Sequence, residues 1–188
     1  MTVIGPIISG ILSEGRKIRN VTDIGTAQGH IFLGIAKSIS AVYSDAHFIG
    51  IDKKHGLSDG VLAAGIITPQ KGNYLKLGIK DSSIDILTLI YIAQSMNGEN
   101  QHSLMDWAVS KVVPGGDIVF VDVCKRGGFR YWIDWLKHHI YNGLASYNIK
   151  YEGEWMDYVS AWEDLEIVYI YDLPDRSVVI HARKRKNE

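Results

Sequence analysis

The chain has 188 residues, 46% of them hydrophobic and 22% charged, and 20 Lys and Arg against 21 Asp and Glu give a formal net charge of -1. That length fits one domain with a substantial core, and the ordinary apolar content excludes a disordered chain. Cys124 is the single cysteine, which excludes an internal disulfide and a cysteine-built metal site, while the balanced charge argues against wholesale coating of nucleic acid.

Residues 1–13 are uncharged but broken by Gly5, Pro6 and Gly10, with no basic leader, and are too short to span a bilayer, which needs about 20 apolar residues. Residues 1–19 are expected to form an N-terminal helical segment, and the chain to be soluble and cytoplasmic. Val21-Thr22-Asp23-Ile24 is the first strand-like run. Ile31, Phe32, Ile35, Ala36 and Ile39 then share one helical face. Further unbroken runs follow at 48–51, 84–90, 118–123, 167–171 and 178–180, the pattern of strands covered on both faces. Leu104, Trp107, Ala108 and Val112 give a second helical stripe, ended by Pro114-Gly115-Gly116. Phe129, Trp132, Ile133, Leu136 and Ile140 give a third, with Gly143 as its stop. The last two runs, 166–171 and 176–183, are joined by Asp172-Leu173-Pro174-Asp175, too short for a helical crossover, so they are read as an antiparallel hairpin. Strands alternating with helices imply an α/β fold, a doubly wound, mostly parallel sheet with that hairpin at its edge.

The segment Asp23-Ile24-Gly25-Thr26-Ala27-Gln28-Gly29 is a strand running into a glycine-bearing bend that opens a helix. Gly25 allows a tight turn and close approach of a ligand, and Gly29 allows close helix–strand packing. The helix amides beyond favour negative groups. The next strand ends in Asp52, where a carboxylate can accept both hydroxyls of a ribose. The two features together indicate a nucleoside-containing cofactor.

With these residues in view, the chain resembles a class I (Rossmann-like) S-adenosylmethionine-dependent methyltransferase over nearly its whole length. Residues 23–29 resemble the family's first motif and Gly50-Ile51-Asp52 its second. Lys71-Gly72-Asn73-Tyr74 stands where residues cup the adenine, Asp81 to Leu87 leads into the fourth strand, and Pro114-Gly115-Gly116 matches the turn before the fifth. Two positions depart from the pattern: Ala27 replaces the middle glycine of the first motif, and Asn73 replaces an acidic residue. The resemblance implies one domain over 1–188, with seven strands in the order 3-2-1-4-5-7-6, helices on both faces and an acceptor-side cover over 124–164. It implies S-adenosylmethionine as cofactor, with S-adenosylhomocysteine as product. The cofactor-binding set it implies is Asp23, Gly25, Thr26, Ala27, Gln28, Gly29, Asp52, Lys53, Asn73, Tyr74, Ile90 and Tyr91.

Such a reaction needs a general base only if the acceptor must lose a proton, and Tyr91, His102 and Asp122 are the candidates. Their plain alternatives are a pocket wall, a solvated helix residue and a strand-end cap. Ile90-Tyr91-Ile92-Ala93 lacks the Asn/Asp-Pro-Pro-aromatic motif of DNA adenine amino-methylation, and the Lys-Asp-Lys-Glu tetrad of ribose 2′-O-methyltransferases fails at Tyr91 and Asp122. No H-x-x-x-H pair occurs and no metal is expected. Rings crowd residues 131–162: Tyr131, Trp132, Trp135, Tyr141, Tyr147, Tyr151, Trp155, Tyr158 and Trp162; core or lid packing is favoured over an aromatic platform for a planar substrate. Arg183-Lys184-Arg185-Lys186 is read as a solvated tail, with contact to phosphates as the alternative. The leading expectation is a methyltransferase with a small-molecule acceptor, a nucleic acid or protein acceptor being less favoured and a membrane excluded. A non-catalytic cofactor-binding module is the alternative that Ala27 and Asn73 motivate, and an RNA methyltransferase is another. A nicotinamide oxidoreductase is disfavoured by the hairpin and the missing G-x-G-x-x-G.

Overall fold

The computed structural model describes residues 4–125, 150–172 and 177–186. In chain order they form α1 (Ile4–Ser13), β1 (Asn20–Ile24), α2 (His30–Ser40), β2 (His47–Asp52), α3 (Asp59–Ala63), β3 (Ile67–Lys71), β4 (Ile84–Ile90), α4 (Gly98–Lys111), β5 (Val112–Lys125), α5 (Glu152–Ser160), β6 (Leu165–Asp172) and β7 (Ser177–Lys184). Short 3-10 turns cover Tyr74–Lys76 and Ala93–Ser95. The strands lie in the order β3-β2-β1-β4-β5-β7-β6, and the two-residue strand Lys150–Tyr151 pairs beside the end of β5. Pairing is parallel from β3 to β5 and antiparallel for β5–β7 and β7–β6, as the short hairpin link requires.

The apolar runs form the middle of this sheet because both of its faces are covered. On one face Leu89, Phe120 and Ile180 meet Leu104 and Ala108 of α4 and Trp155 and Val159 of α5. On the other, Val21, Ile86 and Val119 meet Ile8 and Ile11 of α1 and Phe32 and Ile39 of α2. β3 carries only one buried residue, Ile67. It is an edge strand and tolerates Pro69, whose missing N–H costs little there.

Three expectations need correction. Pro114-Gly115-Gly116 does not separate helix from strand: α4 passes directly into β5, and the tripeptide forms an irregularity inside it. There Ile84 pairs with Val112 but Ile86 with Asp117, so five steps of β5 answer two of β4. Ile31 is not on the buried face of α2; it is 38% exposed, while Phe32, Ile35, Ala36 and Ile39 are buried. The stripe of a helix is narrow, and Ile31 lies one residue outside it. Nor is residue 183 the start of a solvated tail. Arg183 donates to the buried Asp117 and pairs with Glu14, and Lys184 Nζ donates to the carbonyls of Val109 and Val112. A buried carboxylate draws the nearest cations inward. The helix read over residues 129–140, with the rings from Tyr131 to Tyr147, and the hairpin link 173–176 lie outside the described residues.

Candidate functional site

The C-terminal ends of β1, β2 and β4 meet where the strand order reverses, the place where open α/β sheets bind ligands. The bend after β1 is tied to β2: the amides of Gly25 and Thr26 both donate to the Ile51 carbonyl, at 2.8 and 3.2 Å. Thr26 Oγ1 donates to the Asp23 carbonyl at 3.0 Å, and Gly29, at φ 82°, is the N-cap of α2. A Cβ at Gly29 would lie 2.6 Å from Leu57 Cδ2, and one at Gly25 2.9 Å from Ile92 Cδ1. The bend is therefore flanked by the segment after β2 on one side and the segment after β4 on the other. Ala27 stands at φ 49°, in the left-handed region where glycine is at home.

Asp52 closes this geometry. Its Oδ2 accepts the Ala27 amide at 2.9 Å, and its Oδ1 accepts the amides of Lys54 and His55, both at 2.7 Å. Partial burial opposes ionisation, but the His55, Lys54 and Ala27 amides outweigh it and hold the carboxyl below its ordinary range. The carboxylate ending β2 and the bend after β1 thus share one crevice and touch directly. Lys53 and Gln28 are exposed at its rim, and the Gln28 carbonyl accepts the Ser58 amide at 3.1 Å.

Asp23 lies beneath the bend, 3% exposed. Burial raises its carboxyl to about 7; hydrogen bonds from Thr88 and Thr26 pull the other way, and the Asp52 charge adds to the rise. Thr88 Oγ1 donates to Asp23 Oδ1 at 2.6 Å. On the far side of β2, Asn73 Oδ1 accepts the Leu75 amide and caps the turn that follows β3. One lone pair of its oxygen is thereby engaged, and its NH2 remains a donor. Tyr74 turns inward, its ring 5.2 Å from that of Trp107 in an edge-on contact.

At the tip of β4, Ile90 is buried and Tyr91 takes φ 55°. The Tyr91 amide donates to the Val121 carbonyl at 2.8 Å, and its hydroxyl shares a hydrogen bond with Ser177 Oγ at 3.1 Å. Asp122, considered as a base, is fully buried, at 0% exposure. Its Oδ2 accepts the Gln94 amide at 3.0 Å and its Oδ1 the Val123 amide at 2.8 Å, so both oxygens of the carboxylate hold backbone. Burial raises it to about 7, against the amides of Val123, Gln94 and Ala93. His102 is exposed on α4, its ring 5.6 Å from that of Trp162 and 6.1 Å from that of Tyr158. Tyr158 and Trp155 are themselves buried, Trp155 donating to the Val123 carbonyl, so these two rings belong to the core. No group of metal-binding side chains occurs among the described residues, and none of their helices is long and apolar enough to cross a membrane.

Three contributors escaped the sequence reading: Thr88, Leu57 and Ile92. Thr88 had a signal, a hydroxyl inside an apolar run and directly opposite Asp23 in register. Leu57 and Ile92 had none, since both act through shape.

No protein-family model matches the sequence, and no curated protein matches it. Solved structures do. An S-adenosylmethionine-dependent methyltransferase from Methanosarcina mazei matches with TM-score 0.71 at 17% identity, over 94% of this chain and 98% of that one. The pyocyanin biosynthetic protein PhzM matches with TM-score 0.64 at 18% identity, over 89% and 51%. An O-methyltransferase family 2 protein from Planctomyces limnophilus, in complex with apigenin, matches with TM-score 0.68 at 15% identity, over 88% and 50%. The chain spans about half the length of the last two proteins. At these identities the likeness shows the fold, that of the class I S-adenosylmethionine-dependent methyltransferases.

Proposed function

We propose that this chain, on its class I methyltransferase fold, binds S-adenosylmethionine in the crevice between β1, β2 and β4 and transfers its methyl group to a small-molecule acceptor. The observation that carries the reading is the bond from the Ala27 amide to Asp52, which brings the ribose-type carboxylate and the glycine bend into one space. The described residues fit the cofactor. Asp52 Oδ2, with one described donor, keeps lone-pair capacity for a ribose hydroxyl. Asn73 offers its NH2 to an adenine ring nitrogen, with Lys53 and the Tyr74 backbone beside it. Gly25, Thr26, Gln28 and Gly29 line the bend with backbone, the first turn of α2 beyond Gly29 favours a carboxylate, and Asp23 balances an ammonium group. When bound, the cofactor supplies a methyl group already activated on a sulfonium, so the main demand on the protein is alignment. Ile90 and Tyr91 supply that alignment from the tip of β4, Tyr91 as a pocket wall whose hydroxyl is bonded to Ser177 Oγ. His102, exposed beside Trp162, stays a candidate base only for an acceptor that reaches the face of α4.

A small-molecule acceptor is favoured by the structural neighbours, among them the pyocyanin biosynthetic protein and a mitomycin 7-O-methyltransferase. Calorimetry with S-adenosylmethionine, S-adenosylhomocysteine and NAD tests the cofactor, and release of S-adenosylhomocysteine across a panel of small planar phenols tests the reaction. Asp52→Ala is expected to weaken S-adenosylhomocysteine binding by about 1.5–3 kcal/mol, the worth of hydrogen bonds to a charged group. Unchanged affinity in that variant, or binding of NAD alone, overturns the reading.

A further inference from the structure

We propose that Asp122 is a positioning residue whose buried carboxylate fixes the turn after β4, so that Ile92 closes over Gly25 and shapes the methionine end of the crevice. The inference rests on reading that crevice as the S-adenosylmethionine site. At Tyr91 the chain leaves the sheet in a left-handed conformation, and the amides that follow lose their strand partner. Asp122, one residue beyond the Val121 carbonyl that accepts the Tyr91 amide, replaces that partner with a side chain. One oxygen takes the Gln94 amide and the other the Val123 amide, so a carboxylate is needed: an asparagine would turn its NH2 toward one of two donors. The turn is held from its other side as well, because Gln101 Nε2 donates to the Ala93 carbonyl at 2.9 Å. Ile92 immediately precedes these two anchored residues, and its Cδ1 lies 2.9 Å from where a Cβ on Gly25 would stand. Ile92 thus fills the space a side chain at Gly25 would take, and a displacement of the turn opens or closes the wall over the bend, since close-packed contacts have no slack. Asp122 touches neither acceptor nor cofactor in this arrangement; it acts through Ile92 and Tyr91.

The test uses two ligands of different reach. Adenosine needs only the Asp52 and Asn73 end of the crevice, whereas S-adenosylhomocysteine also needs the wall beside Gly25. In Asp122→Asn, a nearly isosteric change, S-adenosylhomocysteine is expected to bind about tenfold more weakly while adenosine stays within about twofold, and the Gln94 amide to exchange its hydrogen about tenfold faster. General damage to the fold would weaken both ligands alike, and that result overturns the proposal, as does unchanged binding of both. Should Asp122→Asn fail to fold, Gln101→Leu loosens the same turn from its other anchor. The same split between ligands is expected there, and its absence overturns the proposal. Wild-type protein that binds neither ligand removes the functional reading, and this proposal with it, before any substitution is made.

Discussion

Asp23 illustrates how much one side chain can hide. Its position at the end of a buried strand and before a glycine bend was legible from residue order, but its charge state was not, because that depends on Thr88 across β1–β4 and on the depth of the sheet. Burial lifts its carboxyl from 3.8 to about 7. Between those values the native state holds a proton that the unfolded chain has released, so stability falls as pH rises through the window and levels off above it. Asp23→Asn carries no such proton. The stability of the wild type relative to this variant is therefore expected to decline from about pH 4 to about pH 7, a difference that cancels every other titrating group the two proteins share. Urea midpoints at about pH 5 and about pH 8 check it, and a constant difference would mean that Asp23 is ionised throughout. Asp52 is the contrasting case. Its place at the strand tip could be read directly, yet the three amides that claim it could not, since they come from a bend and a loop whose course only the fold defines.

Among the elements, those read correctly from the sequence are the ones dominated by burial. β1, β2, β4 and the middle of β5 are covered on both faces, so their apolar runs are continuous and their limits sharp. β3 is implied by the family resemblance but absent from the apolar runs, because an edge strand can be polar and can hold a proline. The length of β5 was misjudged for a different reason: Pro114-Gly115-Gly116 has the composition of a turn, but the sheet absorbs it as an irregularity opposite Ile84 and Ile86. α5 adds a ranking that composition alone could not supply. Trp155 is fully buried, 5.2 Å from the Phe120 ring and bonded to the Val123 carbonyl, whereas Trp162 lies past the helix, half-buried, donating to Asp106. Trp155→Ala is expected to cost about 3–5 kcal/mol of stability and Trp162→Ala clearly less, because only the first leaves a cavity in the core. Chemical denaturation of both variants decides it; equal losses would make Trp162 part of the core.

For the whole molecule, a buried charge cluster and the crevice lie toward opposite ends of the same sheet, and β5 connects them. Asp122 near its C-terminal end holds the turn beside the bend, while Asp117 near its start is buried under a cluster of charge. Arg16, just beyond α1, and Arg183, on β7, both pair with Asp117, and Glu14 pairs with both arginines. His181 donates Nε2–H to the same carboxylate at 2.8 Å; burial, with Arg183 and Arg16 nearby, pushes its imidazole down to about 4, which leaves it neutral near pH 7. The cluster thus ties the first helix to the C-terminal hairpin, two parts of the chain separated by nearly its whole length. Removing Asp117 leaves two partly buried guanidinium groups to share Glu14, and breaking a buried pair from one side costs about 3–5 kcal/mol. Asp117→Ala is accordingly expected to lose stability of that order, with a lower urea midpoint, yet to bind S-adenosylhomocysteine as the wild type does wherever it stays folded. The reason is topological: Asp117 pairs with Ile86 near the start of β4, whereas the bend and the turn lie beyond the ends of β1 and β4. A loss of affinity in the folded variant would show that the two ends are coupled through β5, and that this strand transmits strain from the charge cluster to the crevice.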